Sequence, residues 1–142
     1  MRGDSCHNDI LVRRLRQVAE ECGATVCVEQ LVRLDHDAIG YADLVISKAG
    51  HITVCEPERF WRRVGNDLRK AIALRADLLL IATPDAPTAQ ACRRQLRRCP
   101  RPDAKLKVIV CPLGAALEIL RATLSAAPGP AVPVAPNQRK ET

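Results

Sequence analysis

A chain of 142 residues, 47% of them apolar, is long enough for one domain with a real core, and with one Phe, one Tyr and one Trp that core must be aliphatic. The net charge of +6 favours a polyanionic partner, nucleic acid foremost. No apolar run reaches membrane-spanning length and the opening "MRGDSCHNDI" lacks a signal-peptide core, so no membrane partner and a cytoplasmic location are expected.

In chain order, residues 1–8 are polar and expected to fray. Asn8 or Asp9 can cap a helix in which Leu11, Leu15, Val18 and Cys22 recur at helical spacing, and Gly23 stops it. Thr25 to Val32 is a β-branched run and the first strand, with Glu29 as its one acid. A polar connection, "RLDHDAIGYAD", follows; its Asp35 and Asp37 resemble the acid pair of toprim domains, but Glu29 is too close upstream for that fold, and we read them as loop acids.

Two short apolar runs, Ala42 to Ser47 and Ile52 to Cys55, flank Lys48-Ala49-Gly50-His51 and predict a β-hairpin. Asp43 stands at the start of the first run, and Glu56 and Glu58 follow the second. If the connecting loop has an even number of residues, Asp43 faces Glu56 and both project from one face of the sheet; a loop of odd length separates them. Carboxylates at strand ends are not expected to be core residues, because a buried unpaired charge is costly.

Pro57 suits a first helical turn, and Trp61, Val64, Leu68, Ala71 and Ile72 then run at helical spacing. Asp77 to Ala82 is a near-continuous apolar strand of the kind buried on both faces. A basic helix follows over 88–98, then a strand over 107–111 and a helix over 114–124. From residue 126 onward "AAPGPAVPVAPNQRKET" has no core pattern, so the expected division is one domain over 1–125 and a disordered Pro-rich tail over 126–142. Seven cysteines without paired C-x-x-C spacing, in a chain with no export signal, read as reduced thiols; a zinc site from Cys22, Cys27, His51 and Cys55 is the weaker account. The expected fold is α/β: helix, three strands, then helix and strand in alternation, giving a mixed sheet covered on both faces.

That order over residues 9–83 resembles the PD-(D/E)xK restriction-endonuclease-like superfamily, whose core is αβββαβ; the remaining αβα would be an extension. Ala42-Asp43 looks like the P-D element and Glu56-Pro57-Glu58 like the D/E-x-K element. The likeness is nearest to branches reading E…D…E-x-E with a lysine on the next helix, as in replication-relaxation-type proteins of mobile elements. Glu29 would match the first acid and Lys70 the helical lysine. The chain departs from the usual motif where Glu58 stands in place of lysine and Pro57 sits inside it.

The resemblance implies a metal-dependent nuclease acting on DNA phosphodiesters. Asp43, Glu56 and Glu29 would hold Mg²⁺ or Mn²⁺, and Asp43, Glu56, Glu58 and Lys70 would form the catalytic group. The ion would activate water and polarise the phosphoryl oxygen, and lysine would stabilise the developing charge. Arg62, Arg63, Arg93, Arg94, Arg97 and Arg98 would contact nucleic acid, in a homodimer or a larger DNA-processing complex. The competing expectation is a non-catalytic nucleic-acid-binding or assembly module that keeps the fold with an incomplete site.

Overall fold

The computed structural model describes residues 5–100 and 105–126. Helix α1 (Ser5–Glu21) leads into three consecutive strands, β1 (Thr25–Arg33), β2 (Ile39–Lys48) and β3 (His51–Pro57). Helix α2 (Val64–Ala73), strand β4 (Leu78–Thr83), helix α3 (Ala86–Leu96), strand β5 (Lys107–Pro112) and helix α4 (Leu113–Ala126) follow. The five strands form one sheet in sequence order. Pairs β1–β2 and β2–β3 are antiparallel, joined by short turns; β3, β4 and β5 run parallel, with α2 and α3 as the crossovers that parallel pairing requires.

Two apolar layers hold helices to the sheet. Leu15, Val18 and Ala19 of α1 and Ala116, Leu120 and Leu124 of α4 pack with Leu44, Ile46, Cys55, Leu78 and Leu80 on one face. Val64, Leu68 and Ala71 of α2 and Ala89 and Cys92 of α3 pack with Val54, Leu79, Ile81 and Val110 on the other. Strand β4 is buried along its whole length, the expected consequence of an unbroken apolar run between two helical layers. The fold is thus α/β, with a mixed sheet between helices. No helix among the described residues is long and apolar enough to cross a membrane.

Local chemistry sets the ends. Gly23, at φ +79°, ends α1 in the left-handed region, where its missing Cβ removes the steric penalty. Asp85 caps α3 by accepting from the Thr88 amide at 2.8 Å. Lys48 Nζ donates to the Leu124 carbonyl at 2.9 Å, satisfying one of the orphan acceptors at the end of α4. Lys48 is thereby committed on the side of the sheet away from α2.

Several expectations need correction. Helix α1 begins at Ser5, so residues 5–8 are helical and not frayed. The polar connection is shorter than read: β2 already starts at Ile39, pairing Arg33 with Ile39 and Leu31 with Tyr41, and only a 3-10 turn at Asp35–Asp37 lies between the strands. Pro57 is not in a helix; it closes β3 beside Ala82, and the next amide, of Glu58, donates to the Ala82 carbonyl at 2.8 Å. Trp61 lies on a separate 3-10 turn (Trp61–Arg63) and is exposed, so the apolar stripe of α2 starts at Val64. Of the 126–142 stretch, Ala126 ends α4 and the rest lies outside the described residues.

The β2–β3 turn has two residues, with Lys48 opposite His51, and so belongs to the even class. Ala49 and Gly50 both have positive φ, 51° and 83°, the mark of a type I′ turn whose twist matches the flanking strands. Alanine pays a steric cost there that asparagine largely avoids. Ala49→Asn is therefore expected to stabilise the protein by about 0.5–1 kcal/mol in urea unfolding; an unchanged or lower midpoint would contradict this account of the turn.

Candidate functional site

The two-residue turn sets the register that pairs Leu44 with Cys55 and Val45 with Val54. Continued by one step it sets Asp43 opposite Glu56, and the Asp43 amide donates to Glu56 Oε2 at 3.4 Å. The contact is reinforced by an inversion in β1–β2. Val28 pairs with Leu44 and Gln30 with Ala42, while Glu29 between them has φ 55°. Below this level Val26 and Leu44 pack in the α1 layer; above it Val32 and Ala42 pack in the α2 layer. Both strands exchange faces at the Glu29–Asp43 level, so Ala42 and Asp43, though adjacent, both serve the side covered by α2.

Asp43, Glu56, Pro57, Glu58, Arg63, Asn66, Asp67 and Lys70 line one small cleft of about 200 Å³. Strand β2 supplies Asp43, the end of β3 supplies Glu56, the residue just past it is Glu58, and the first two turns of α2 supply Asp67 and Lys70. These acids are deeply buried, with exposures of 7% (Asp43), 1% (Glu56), 4% (Glu58) and 2% (Asp67). The expectation that strand-end carboxylates avoid the core is overturned here, and the reason is Lys70. Its Nζ stands 3.7 Å from Glu56 Oε1 and 3.7 Å from Asp67 Oδ1. The lysine approaches over Gly40, where an added Cβ would lie 3.5 Å from Lys70 Cε and 3.3 Å from Leu34 Cδ1.

One ammonium does not balance the group. Four carboxyls share the cleft with two cations, Lys70 and Arg63. Burial drives the Glu56 carboxyl well above the usual glutamate range; Lys70 opposes this and Asp43 adds to it. Burial likewise raises Asp67, with the nearby charges of Glu56 and Glu58 pushing the same way. Glu58 is also raised by burial, against the pull of Asp67 as a hydrogen-bonding neighbour and of the Phe60 amide, which donates to Glu58 Oε2 at 3.2 Å. Asp67 Oδ2 is buried with no hydrogen-bond partner in the structure.

Of the residues singled out in the sequence, Asp43, Glu56, Glu58 and Lys70 meet in this cleft. Glu29 does not line it: its side chain is exposed on β1, at the level of Asp43. Arg63 lines the cleft, while Arg62 lies beside it on the same 3-10 turn. Arg93, Arg94, Arg97 and Arg98 stand at the far end of α3 and just beyond it; Arg93 donates to the Val110 carbonyl at 2.6 Å and so also ties α3 to β5. Asp67, Asn66 and Gly40 were not anticipated. Asp67 had a visible signal, an acid set inside the apolar stripe of Val64, Leu68 and Ala71, one turn before Lys70.

The alternative zinc quartet is not assembled: Cys55 is buried in the α1 layer and Cys27 is exposed on β1. Cys55, Cys92 and Cys111 are buried free thiols, and burial pushes Cys92 up to about 12, which keeps it protonated and unreactive. As the side chains stand, no group of three or more His, Cys, Asp or Glu among the described residues is gathered for a metal ion. A magnesium ion requires fewer protein ligands than that, being held through one or two carboxylates and its own waters. The donor chemistry fits: hard oxygens from Asp43 and Glu56, a partnerless Asp67 oxygen, and four carboxyls against two cations, whose shared protons an arriving ion would displace.

The raised carboxyls make a pH prediction. The folded state holds these protons at pH values where the unfolded chain has released them, so stability is greatest below the ordinary carboxyl range and falls as pH rises through the raised values. Asp67→Asn removes a carboxyl that must hold its proton as pH rises, while Lys70 keeps Glu56 as a partner. We therefore expect the variant to gain on the parent at pH 8 relative to pH 4, by about 1.4 kcal/mol for each unit by which the carboxyl is raised. Urea unfolding at the two pH values measures it; an equal loss at both would assign Asp67 a purely structural bond. Comparison with protein-family models, with curated proteins and with solved structures finds no match for this chain.

Proposed function

We propose that the chain is a metal-dependent nuclease-like domain acting on nucleic-acid phosphodiesters, DNA foremost, in a mobile-element or other DNA-processing system. The observation that carries this reading is the meeting of Asp43, Glu56, Glu58 and Lys70 in one carboxyl-rich cleft, on a chain whose net charge is positive. The element order α1-β1-β2-β3-α2-β4 is the αβββαβ order of the restriction-endonuclease-like core, and it supports the same reading.

Asp43 and Glu56 would hold Mg²⁺ or Mn²⁺. When bound, such an ion lowers the pKa of a water and polarises a phosphoryl oxygen. The chain's own residues supply the rest. Lys70 brings a positive charge to the place where negative charge would build on the phosphate. It arrives from α2 one helical turn after Asp67, and Glu56 and Asp67 fix its ammonium. This answers the departure at Glu58, because the lysine need not follow the acid on β3 to reach it. Glu58 is turned toward the Phe60 amide, where it fixes the start of the turn carrying Arg63. Arg63 would take a second phosphate oxygen at the rim.

The second reading, a non-catalytic nucleic-acid-binding or assembly module, draws on Lys70 itself. Its ammonium already serves the acids that would otherwise call for an ion. Divalent-cation binding separates the two. For the nuclease, Mg²⁺ or Mn²⁺ should raise the melting temperature and support cleavage of single-stranded, duplex or branched DNA, with silence in chelator. Asp43→Asn and Glu56→Gln should each lower cleavage about 100-fold or more and abolish the thermal shift. Clean protein with neither shift nor cleavage belongs to the second reading.

Both readings need a surface for the polyanion. Arg62, Arg94, Arg97 and Arg98 are exposed and offer phosphate contacts. Binding of labelled duplex DNA should weaken with salt at a slope of about 0.9 in log affinity per neutralised phosphate, and four such contacts give roughly 3 to 4. A flat salt titration would remove these arginines from the interface.

A further inference from the structure

The turn after β3 reads Arg59-Phe60-Trp61-Arg62-Arg63 and holds two of the chain's three aromatic residues. Neither ring is in the core: Phe60 is 39% exposed and Trp61 45%. Two adjacent exposed rings rimmed by cations form a contiguous apolar patch of the kind that marks a binding surface, unlike a lone exposed side chain. Guanidinium groups flank both. Arg63 lies 4.9 Å from the Phe60 centroid, and Arg62 lies 5.9 Å from that of Trp61. Between Trp61 and α3 runs an open groove of about 310 Å³, completed by Ala91, Gln95, Arg94 and Arg98.

This patch is continuous with the acid cleft. The Phe60 amide donates to Glu58, and Arg63 both borders the cleft and covers the Phe60 ring. We infer that the turn and the Trp61 groove form a stacking platform for unpaired bases, so that the strand presented to the acid cleft is single-stranded or frayed. The inference deepens the nuclease-like reading and rests on it only for what then happens to the strand.

The choice of occupant follows from the mixture of groups. A duplex keeps its base faces stacked on one another and offers a protein phosphates and groove edges, for which arginines alone suffice. An acidic peptide would match the guanidinium groups but leave two exposed rings without a function. A single strand offers π-faces and phosphates together, and alternating aromatic and cationic side chains meet both, with little regard to sequence.

Trp61 is the only tryptophan, so its emission reports the platform directly. In chelator, where no metal-dependent turnover occurs, a thymidine oligonucleotide should quench Trp61. An abasic strand of equal length, a blunt duplex and poly-glutamate should quench little and bind more weakly. By anisotropy of the labelled oligonucleotide, Trp61→Ala should weaken binding about 5- to 150-fold, the range one stacked base supplies. Trp61→Phe should stay within about threefold of the parent, since it keeps a ring. Circular dichroism of the variants checks that folding is intact, as expected for an exposed side chain. The inference is overturned if the abasic strand or duplex binds as tightly as the thymidine strand, if poly-glutamate binds more tightly, or if Trp61→Ala leaves affinity unchanged. The two readings fail separately: stacking without metal-dependent cleavage removes the nuclease alone, and cleavage without stacking removes the platform alone.

Discussion

The ammonium of Lys70, 3.7 Å from both Glu56 and Asp67, is the interaction on which the centre of this molecule depends. Four carboxyls are withdrawn from water at the junction of β2, β3 and α2, and each would oppose folding if left alone. Removing one partner of a buried charge pair leaves the other uncompensated, at a cost of about 3–5 kcal/mol in known cases. Lysine suits the place because its long stem packs against Gly40 while its charge remains at the acids. The apolar surroundings that make the pairing necessary are the same that hold it in place: Val64, Leu68 and Ala71 dock α2 on Val54, Leu79 and Ile81, and that docking carries Lys70 to its position.

The site is therefore built from elements whose geometry is fixed for other reasons. The type I′ turn sets the hairpin register, the register sets Asp43 opposite Glu56, and the inversion at Glu29 brings Ala42 to the α2 layer on the same strand. Parallel pairing of β3 with β4 requires the crossover through α2, and that crossover delivers the cation. None of these steps is specific to a catalytic group. Together they gather four carboxyls in one cleft of a basic chain.

Much of this was legible in the residues. Lys48-Ala49-Gly50-His51 between two β-branched runs marked the hairpin and made the facing of Asp43 and Glu56 conditional on an even loop; the pairing of Lys48 with His51 supplies that parity. The unbroken apolar run before Thr83 marked a strand between two layers. What stayed hidden depended on tertiary contact. Burial of the acids could not be foreseen without knowing that Lys70 reaches them, because linear spacing says nothing about how α2 docks. Ile39 to Tyr41 read as part of a polar connection because they follow the charged stretch Asp35-His36-Asp37; their place in β2 is fixed by pairing with β1. Pro57 favoured a helix start by local preference, yet it closes β3 opposite Ala82, where the next amide, of Glu58, makes the bond to the Ala82 carbonyl that proline lacks the N–H to make. Trp61 fell on the helical period of α2 by coincidence, because the chain between Glu58 and Val64 is a turn with its own winding.

Gly40 has a consequence beyond its contact with Lys70. Every charged residue in the cleft takes part in several electrostatic relations at once, so any change to one of them alters charge and shape together. Position 40 carries no charge, lies on the strand and not on the helix, and faces only apolar side-chain atoms, Leu34 Cδ1 and the aliphatic stem of the lysine. An added Cβ alone would meet the lysine stem at ordinary contact distance and press first on Leu34, whereas a longer side chain would push on the stem as well, leaving the number and kind of charges untouched. Graded substitution at this one position thus offers a mechanical dial on an electrostatic centre, by which the distance of the lysine can be varied independently of its presence.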